Sequence, residues 1–205
     1  MTRRYAVKEI FRTLQGEGGL CGTPMVFVRF SGCNLWSGRE EDRAIARCTF
    51  CDTDFIGGER LTSSAIADRV ADLDGPRMVC FTGGEPALQL DRALLEAARG
   101  RGYRVAIETN GTVALDGLRP LLDRVCVSPK TPDLAVTAGD ELKLVYRGQP
   151  PDEIRRFEAL DFRSFFLQPE AGPRYQAMLD GALAFLTRQS RWRLSLQTHK
   201  LVGLP

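Results

Sequence analysis

Runs of β-branched and aromatic residues alternate along the chain with segments whose apolar positions recur at helical spacing. Tyr5 to Phe11 and Pro24 to Phe30 read as strands. Behind Thr62, Ser63 and Ser64, which can cap a helix, Ile66, Val70 and Leu73 predict an amphipathic helix over residues 63 to 74. Short apolar runs predict further strands at Met78 to Phe81, Val105 to Glu108, Arg124 to Val127, Leu142 to Tyr146, Ser164 to Leu167 and Trp192 to Gln197. Helices are expected through Leu94, Leu95 and Ala98 and around residues 152 to 160 and 174 to 189. Strand and helix in alternation predict an α/β fold on a parallel sheet with right-handed crossovers.

The segments that follow these strands are polar or glycine-rich. Thr82-Gly83-Gly84-Glu85-Pro86, Thr109-Asn110-Gly111-Thr112, Ser128-Pro129-Lys130 and Gln168-Pro169 each come directly after a predicted strand. Ligands of parallel α/β sheets bind beyond the carboxyl ends of the strands, so these segments are expected to face one site. The strand from Pro24 runs straight toward Cys33. Between the first two strands, the three glycines of Thr13-Leu14-Gln15-Gly16-Glu17-Gly18-Gly19 predict a flexible turn or a backbone that a ligand approaches closely.

Length and composition narrow the function. The 205 residues are expected to form one domain, residues 1–205, long enough to bury about 70% of the unfolded surface. A hydrophobic share of 43% beside 26% charged residues is that of a soluble globular chain. The 28 basic and 26 acidic residues are dispersed, which argues against a nucleic-acid partner and for a small-molecule substrate. Neither a signal peptide behind Arg3 and Arg4 nor an apolar run of about 20 residues is present, so a cytoplasmic location without a membrane segment is expected. Six cysteines in a reducing compartment point to metal or catalysis rather than disulfides. Cys80 and Cys126 lie in apolar runs and read as small buried hydrophobes, while Cys21 has no assignment.

Cys33, Cys48 and Cys51 remain, spaced C-x14-C-x2-C. Three thiolates can hold a 4Fe-4S cluster and leave one iron open. A zinc site, with His199 as the one available histidine, or a thiol redox pair fits the spacing as well. Gly83-Gly84-Glu85-Pro86 alone is an ordinary turn, but together with a three-cysteine loop on an earlier strand it is far more specific. On these two marks the sequence resembles the radical S-adenosylmethionine (SAM) superfamily. The long cysteine loop, 31–56, with Thr-Leu-Gln-Gly-Glu-Gly at 13 to 18, Glu-Thr-Asn-Gly at 108 to 111, Ser-Pro-Lys at 128 to 130 and Thr-His-Lys at 198 to 200, resembles the 7-carboxy-7-deazaguanine synthase family over nearly the whole chain.

That resemblance implies an incomplete, curved parallel (β/α) barrel and a lyase. The lyase contracts 6-carboxy-5,6,7,8-tetrahydropterin, with loss of ammonia, to 7-carboxy-7-deazaguanine in queuosine biosynthesis. It implies a 4Fe-4S cluster on Cys33, Cys48 and Cys51, and SAM held by Gly84, Glu85, Ser128, Pro129, Lys130, Gln168 and Pro169. Similar chains can carry an acid where Ala171 stands; here Glu170 precedes it. Leu14, Gln15, Gly16, Glu17, Arg29, Thr82, His199 and Pro205 fall on pterin positions, Glu108 on a ribose or pterin group, and Thr53 on a Mg2+ site. An electron-donor protein such as flavodoxin and a homodimer are further implications. The rivals are a glycyl-radical activating enzyme, which should carry a C-x3-C-x2-C loop, and a zinc-binding, non-enzymatic module.

Overall fold

The computed structural model describes residues 2–205. Its strands are β1 (Tyr5–Leu14), β2 (Pro24–Phe30), β3 (Glu59–Leu61), β4 (Met78–Gly83), β5 (Arg104–Thr109), β6 (Arg124–Val127), β7 (Ala138–Tyr146), β8 (Asp161–Pro169) and β9 (Trp192–Leu194). They form one sheet in the order β3-β1-β2-β4-β5-β6-β7-β8-β9. From β2 through β9 every neighbouring pair is parallel. The outer strands β3 and β9 do not pair with each other, so this is the incomplete parallel barrel that the resemblance implies. β1 departs from that expectation, running antiparallel to both β2 and β3. Residues 15–23, which join β1 to β2, suffice for a hairpin, whereas a parallel crossover takes a dozen residues or more.

The α-helices are α1 (Ser63–Asp72), α2 (Arg92–Arg99), α3 (Pro151–Arg155), α4 (Tyr175–Leu186) and α5 (Thr198–Leu201). α1 starts where the Thr62 side chain accepts from the Ala65 N–H, and α2 where Asp91 accepts from the Leu94 N–H, caps worth about 1 kcal/mol each. The helix expected around residues 152 to 160 is α3 followed by a 3-10 turn at Arg156–Ala159. The strand expected to reach Gln197 stops at Leu194, because Ser195, Gln197 and Thr198 turn toward residues 16–18. Alternation also lapses: among the described residues no α-helix joins β5 to β6 or β6 to β7. None of the helices is long and apolar enough to cross a membrane.

The pleat sorts side chains between two faces. Val26, Val28 and Phe30 of β2, Val79 and Phe81 of β4, Val105 and Ile107 of β5, and Leu142 and Leu144 of β7 bury outward in the main core. Ile66 and Val70 of α1 and Leu94, Leu95 and Ala98 of α2 join that core. The alternate residues point into the barrel. Near the strand starts these are Met25, Met78, Cys80 and Ala106, a small apolar floor with Leu20 and Phe27 against it. Toward the strand ends they become Arg29, Thr82, Glu108, Ser128, Lys143 and Gln168, which line a cavity.

Candidate active site

The cavity above that floor has a volume of about 470 Å³. Cys33, Cys48, Cys51 and Thr53 lie on its wall, and Gly84, Glu108, Ser128, Lys130, Gln168 and Pro169 line it from the strand ends, with Glu170 and Ala171 beyond β8. Leu14, Gln15, Gly16 and Glu17 enter from the turn after β1, with Arg29, Thr82, His199 and Pro205 around them. Two residues expected here do not line the cavity: Pro129 and Glu85. The Glu85 carboxylate is fully buried and accepts from Ala87 N–H (2.9 Å), the Thr109 hydroxyl (2.6 Å) and Asn110 N–H (2.7 Å). It clamps the end of β4 to the end of β5. Burial pushes its pKa up, partly offset by those same donors.

The Gly-Gly pair allows a close approach of backbones. A Cβ on Gly84 would stand 2.0 Å from the Gly32 carbonyl oxygen and 3.2 Å from Cys33 Cβ, so the strand end lies flat against the start of the cysteine loop. The Glu85 N–H donates to Gly32 O at 2.9 Å across the same seam. All three loop thiols are free, and the Leu35 N–H points at Cys33 Sγ, 3.4 Å away. Burial pushes the Cys33 and Cys48 thiols up, opposed at Cys33 by backbone donors and at Cys48 first by the nearby Lys130 ammonium. Among the described residues no three His, Cys, Asp or Glu side chains are gathered at the spacing of a metal ion site. The donor chemistry, three thiols with N–H and ammonium groups beside them on one cavity wall, fits a cluster held by three thiolates.

Opposite lies a polar network. Lys143, 3% exposed, ion-pairs with Glu17 and with Glu108 (2.6 Å). Gln15 donates to Glu108 at 2.7 Å, and Glu17 accepts also from Gln168 (3.0 Å) and Gln197 (2.9 Å). Burial raises the Glu17 carboxyl, but Lys143 and the two glutamine donors outweigh it and hold the group below its ordinary value. Burial would lower the Lys143 ammonium, yet Glu108 and Glu17 lift it well above the usual lysine range. Arg29 donates through Nε to Glu9 at 2.7 Å, so one edge of its guanidinium is committed to a cavity neighbour.

The last residues close the opening between β9 and β1. Thr198 donates through its N–H to Gly16 O at 2.9 Å, Gln197 and Lys200 donate to Asp52 at 3.1 and 2.6 Å, and Thr13 Oγ1 donates to Pro205 O at 3.2 Å. His199 packs so close that a Cβ on Gly16 would stand 1.9 Å from its Nδ1. Burial lowers the His199 pKa, which leaves a neutral ring at neutral pH. Cys21 sits outside the cavity with Sγ 3.1 Å from Thr198 Oγ1. Sequence reasoning misses Lys143, Gln197 and Phe50, over whose ring the Arg147 guanidinium stacks 4.2 Å from the centroid. Only Lys143 leaves a trace in the sequence, as a charge amid the apolar residues of a buried strand.

The family model of the radical SAM superfamily matches residues 45–162. The 7-carboxy-7-deazaguanine synthase of Caulobacter vibrioides is 52% identical over 98% of this chain and 99% of its own length, and that of Bordetella pertussis is 50% identical over the same shares. The crystal structure of QueE from Escherichia coli superposes with a TM-score of 0.70 at 24% identity, covering 94% of this chain and 93% of that one, a likeness of fold. A cysteine loop seated on a Gly-Gly strand end, within a barrel of this shape and with identity of this extent, is inherited as a whole: the chain belongs to the 7-carboxy-7-deazaguanine synthase family of the radical SAM superfamily.

Proposed function

We propose that this chain converts 6-carboxy-5,6,7,8-tetrahydropterin to 7-carboxy-7-deazaguanine and ammonia, a lyase reaction of queuosine biosynthesis, with all of residues 1–205 working as one unit. The observation that carries the reading is a single cavity lined by the three loop cysteines and by a set of groups suited to a pterin. Cys33, Cys48 and Cys51 would hold a 4Fe-4S cluster, and the flat backbone of Gly84, with Ser128, Lys130, Gln168 and Pro169, would hold SAM beside it. Bound there, the two would supply reversible radical chemistry that takes a hydrogen from the pterin C6 and returns it.

The side chains position and exclude. Gln15 and Glu17 offer acceptors to the N–H groups of the pterin ring edge, and Arg29 offers its remaining guanidinium edge to the pterin carboxylate. Glu108 accepts from a ribose hydroxyl or a pterin N–H. The short helix α5 brings His199 over the turn and keeps bulk water from the ring edge. The Thr53 hydroxyl would give Mg2+ one oxygen, the others coming from substrate and water, so that the pterin carboxylate is oriented. The family resemblance further supports an electron-donor protein such as flavodoxin, a homodimer and a cytoplasmic location.

The test is anaerobic reconstitution with iron and sulfide, followed by turnover of pterin deuterated at C6. Label recovered in SAM together with the deazapurine product supports the reading; 5'-deoxyadenosine formed one for one with product contradicts it. Thr53→Ala should weaken the response to added Mg2+ with iron content unchanged, and an unaltered Mg2+ dependence removes Thr53 from the site.

A further inference from the structure

Lys143 stands on the inner face of β7, one step above Glu141, and its ammonium lies between Glu17 on the β1–β2 turn and Glu108 at the end of β5. Both carboxylates line the cavity, and their side chains keep only 16% and 19% exposure. One cation against two carboxylates leaves this cluster with a net negative charge. Such an arrangement is costly as a mere fold stabiliser, because apolar residues of similar volume often do as well as a buried ion pair. We propose that Lys143 is a positioning residue for the ligands of this cavity, holding Glu17 and Glu108 apart and ionised so that both present only acceptors to ring N–H groups and hydroxyls. The inference rests on the proposed function.

The reasoning is electrostatic and geometric. Two carboxylates confined together without a cation tend to share one proton, and the protonated partner then offers an O–H where the ligand also offers a donor. Lys143 prevents this from the far side of the cavity, while Gln15, Gln168 and Gln197 fix which lone pairs stay free. The other titratable and charged groups facing this cluster are Cys80 and Cys126 from β4 and β6, Arg29 from β2, Glu141 from β7, Asp52 from the cysteine loop, which shares the Gln197 amide with Glu17, and His199 and Lys200 from α5. The two thiols are driven well upward by burial, Glu141 is paired with Arg124, and burial holds His199 below its usual value. Because Lys143 and the glutamine donors hold the Glu17 carboxyl below its ordinary value, the acid limb that Lys143 governs lies in the acid range in the wild-type chain and reports Glu17.

The experiment measures equilibrium binding of 6-carboxy-5,6,7,8-tetrahydropterin to the reconstituted enzyme with SAM but no reductant, across acid to mildly alkaline pH. Lys143→Met should weaken binding at neutral pH at least tenfold and move the acid limb upward by a unit or more, with iron content unchanged. The upward sign follows because burial, no longer opposed by the ammonium, raises the Glu17 carboxyl, so its ionised acceptor is lost as pH falls through a higher value. Lys143→Gln keeps length and a donor but not the charge, and it must show the same upward movement, which decides the matter if the methionine variant does not fold. Adding Glu108→Gln to either variant should bring the limb part of the way back. A folded variant with wild-type affinity and an unmoved limb, or one that changes only the melting temperature, overturns the role of Lys143. A wild-type chain that neither binds nor converts the pterin instead overturns the proposed function.

Discussion

Cys33, Cys48 and Cys51 share a cavity wall, whereas Cys80 and Cys126 are enclosed in the barrel and their thiols are pushed far up by burial. Thiolate character decides which cysteines take metal. Each of the first three changed to Ala should lower iron content and abolish SAM cleavage, while Cys21→Ser should leave both as they are; iron analysis and product assay on each variant check this. Glu85 makes a different prediction. All three of its partners are donors, so Glu85→Gln sets an amide NH2 against an N–H or O–H and should cost about 1–3 kcal/mol, read by denaturant unfolding. The sequence announces Glu85 through the glycines before it, but not the direction its carboxylate takes, which depends on Thr109 and Asn110 of the next strand. Lys143 is harder still to read, because its partner Glu17 lies 126 positions away and only the barrel brings the two together.

In the proposed function, the turn after β1 is the element on which ligand recognition depends most. Thr198 holds it from one side and Glu141, accepting from Gly19 N–H at 2.7 Å, from the other. Gly16→Ala would drive a methyl into the His199 ring, so the apparent KM for the pterin should rise about tenfold or more while iron content stays constant. Steady-state kinetics beside an iron assay separates this from a folding defect, and an unchanged KM would show that the turn and α5 move independently. Helix starts were legible because Thr62 and Asp91 are local signals, as were strands whose apolar runs are continuous. The antiparallel setting of β1 was not, since direction depends on which strand it pairs with. β3, three residues long, carries too short a pattern to detect.

At the scale of the molecule, an open sheet needs something to cover its gap, and residues 195–205 do this, reaching Thr13 of β1, the β1–β2 turn and the cysteine loop at once. A tag added after Pro205 should raise the KM for the pterin and spare cluster content; a tagged enzyme with native KM would show that Pro205, which lines the cavity, is not a ligand. The α/β class and the position of the site beyond the strand ends were readable from alternation and from the segments that follow each strand, the barrel only from the family resemblance. The closure of the gap was not, because it joins residues up to 192 positions apart.

That separation has a consequence for how the protein is made. Gly16 and Thr198 are 182 residues apart, so at about 5–20 residues per second the ribosome takes roughly 10–40 s to deliver the second after the first. Through that interval the hairpin of β1 and β2 can form, and β7 can later bring Glu141 and Lys143 to the turn, but the gap in the barrel stays open. The proposed recognition of the ring edge is therefore among the last properties the nascent chain would acquire, after most of the sheet that supports it has already been synthesised.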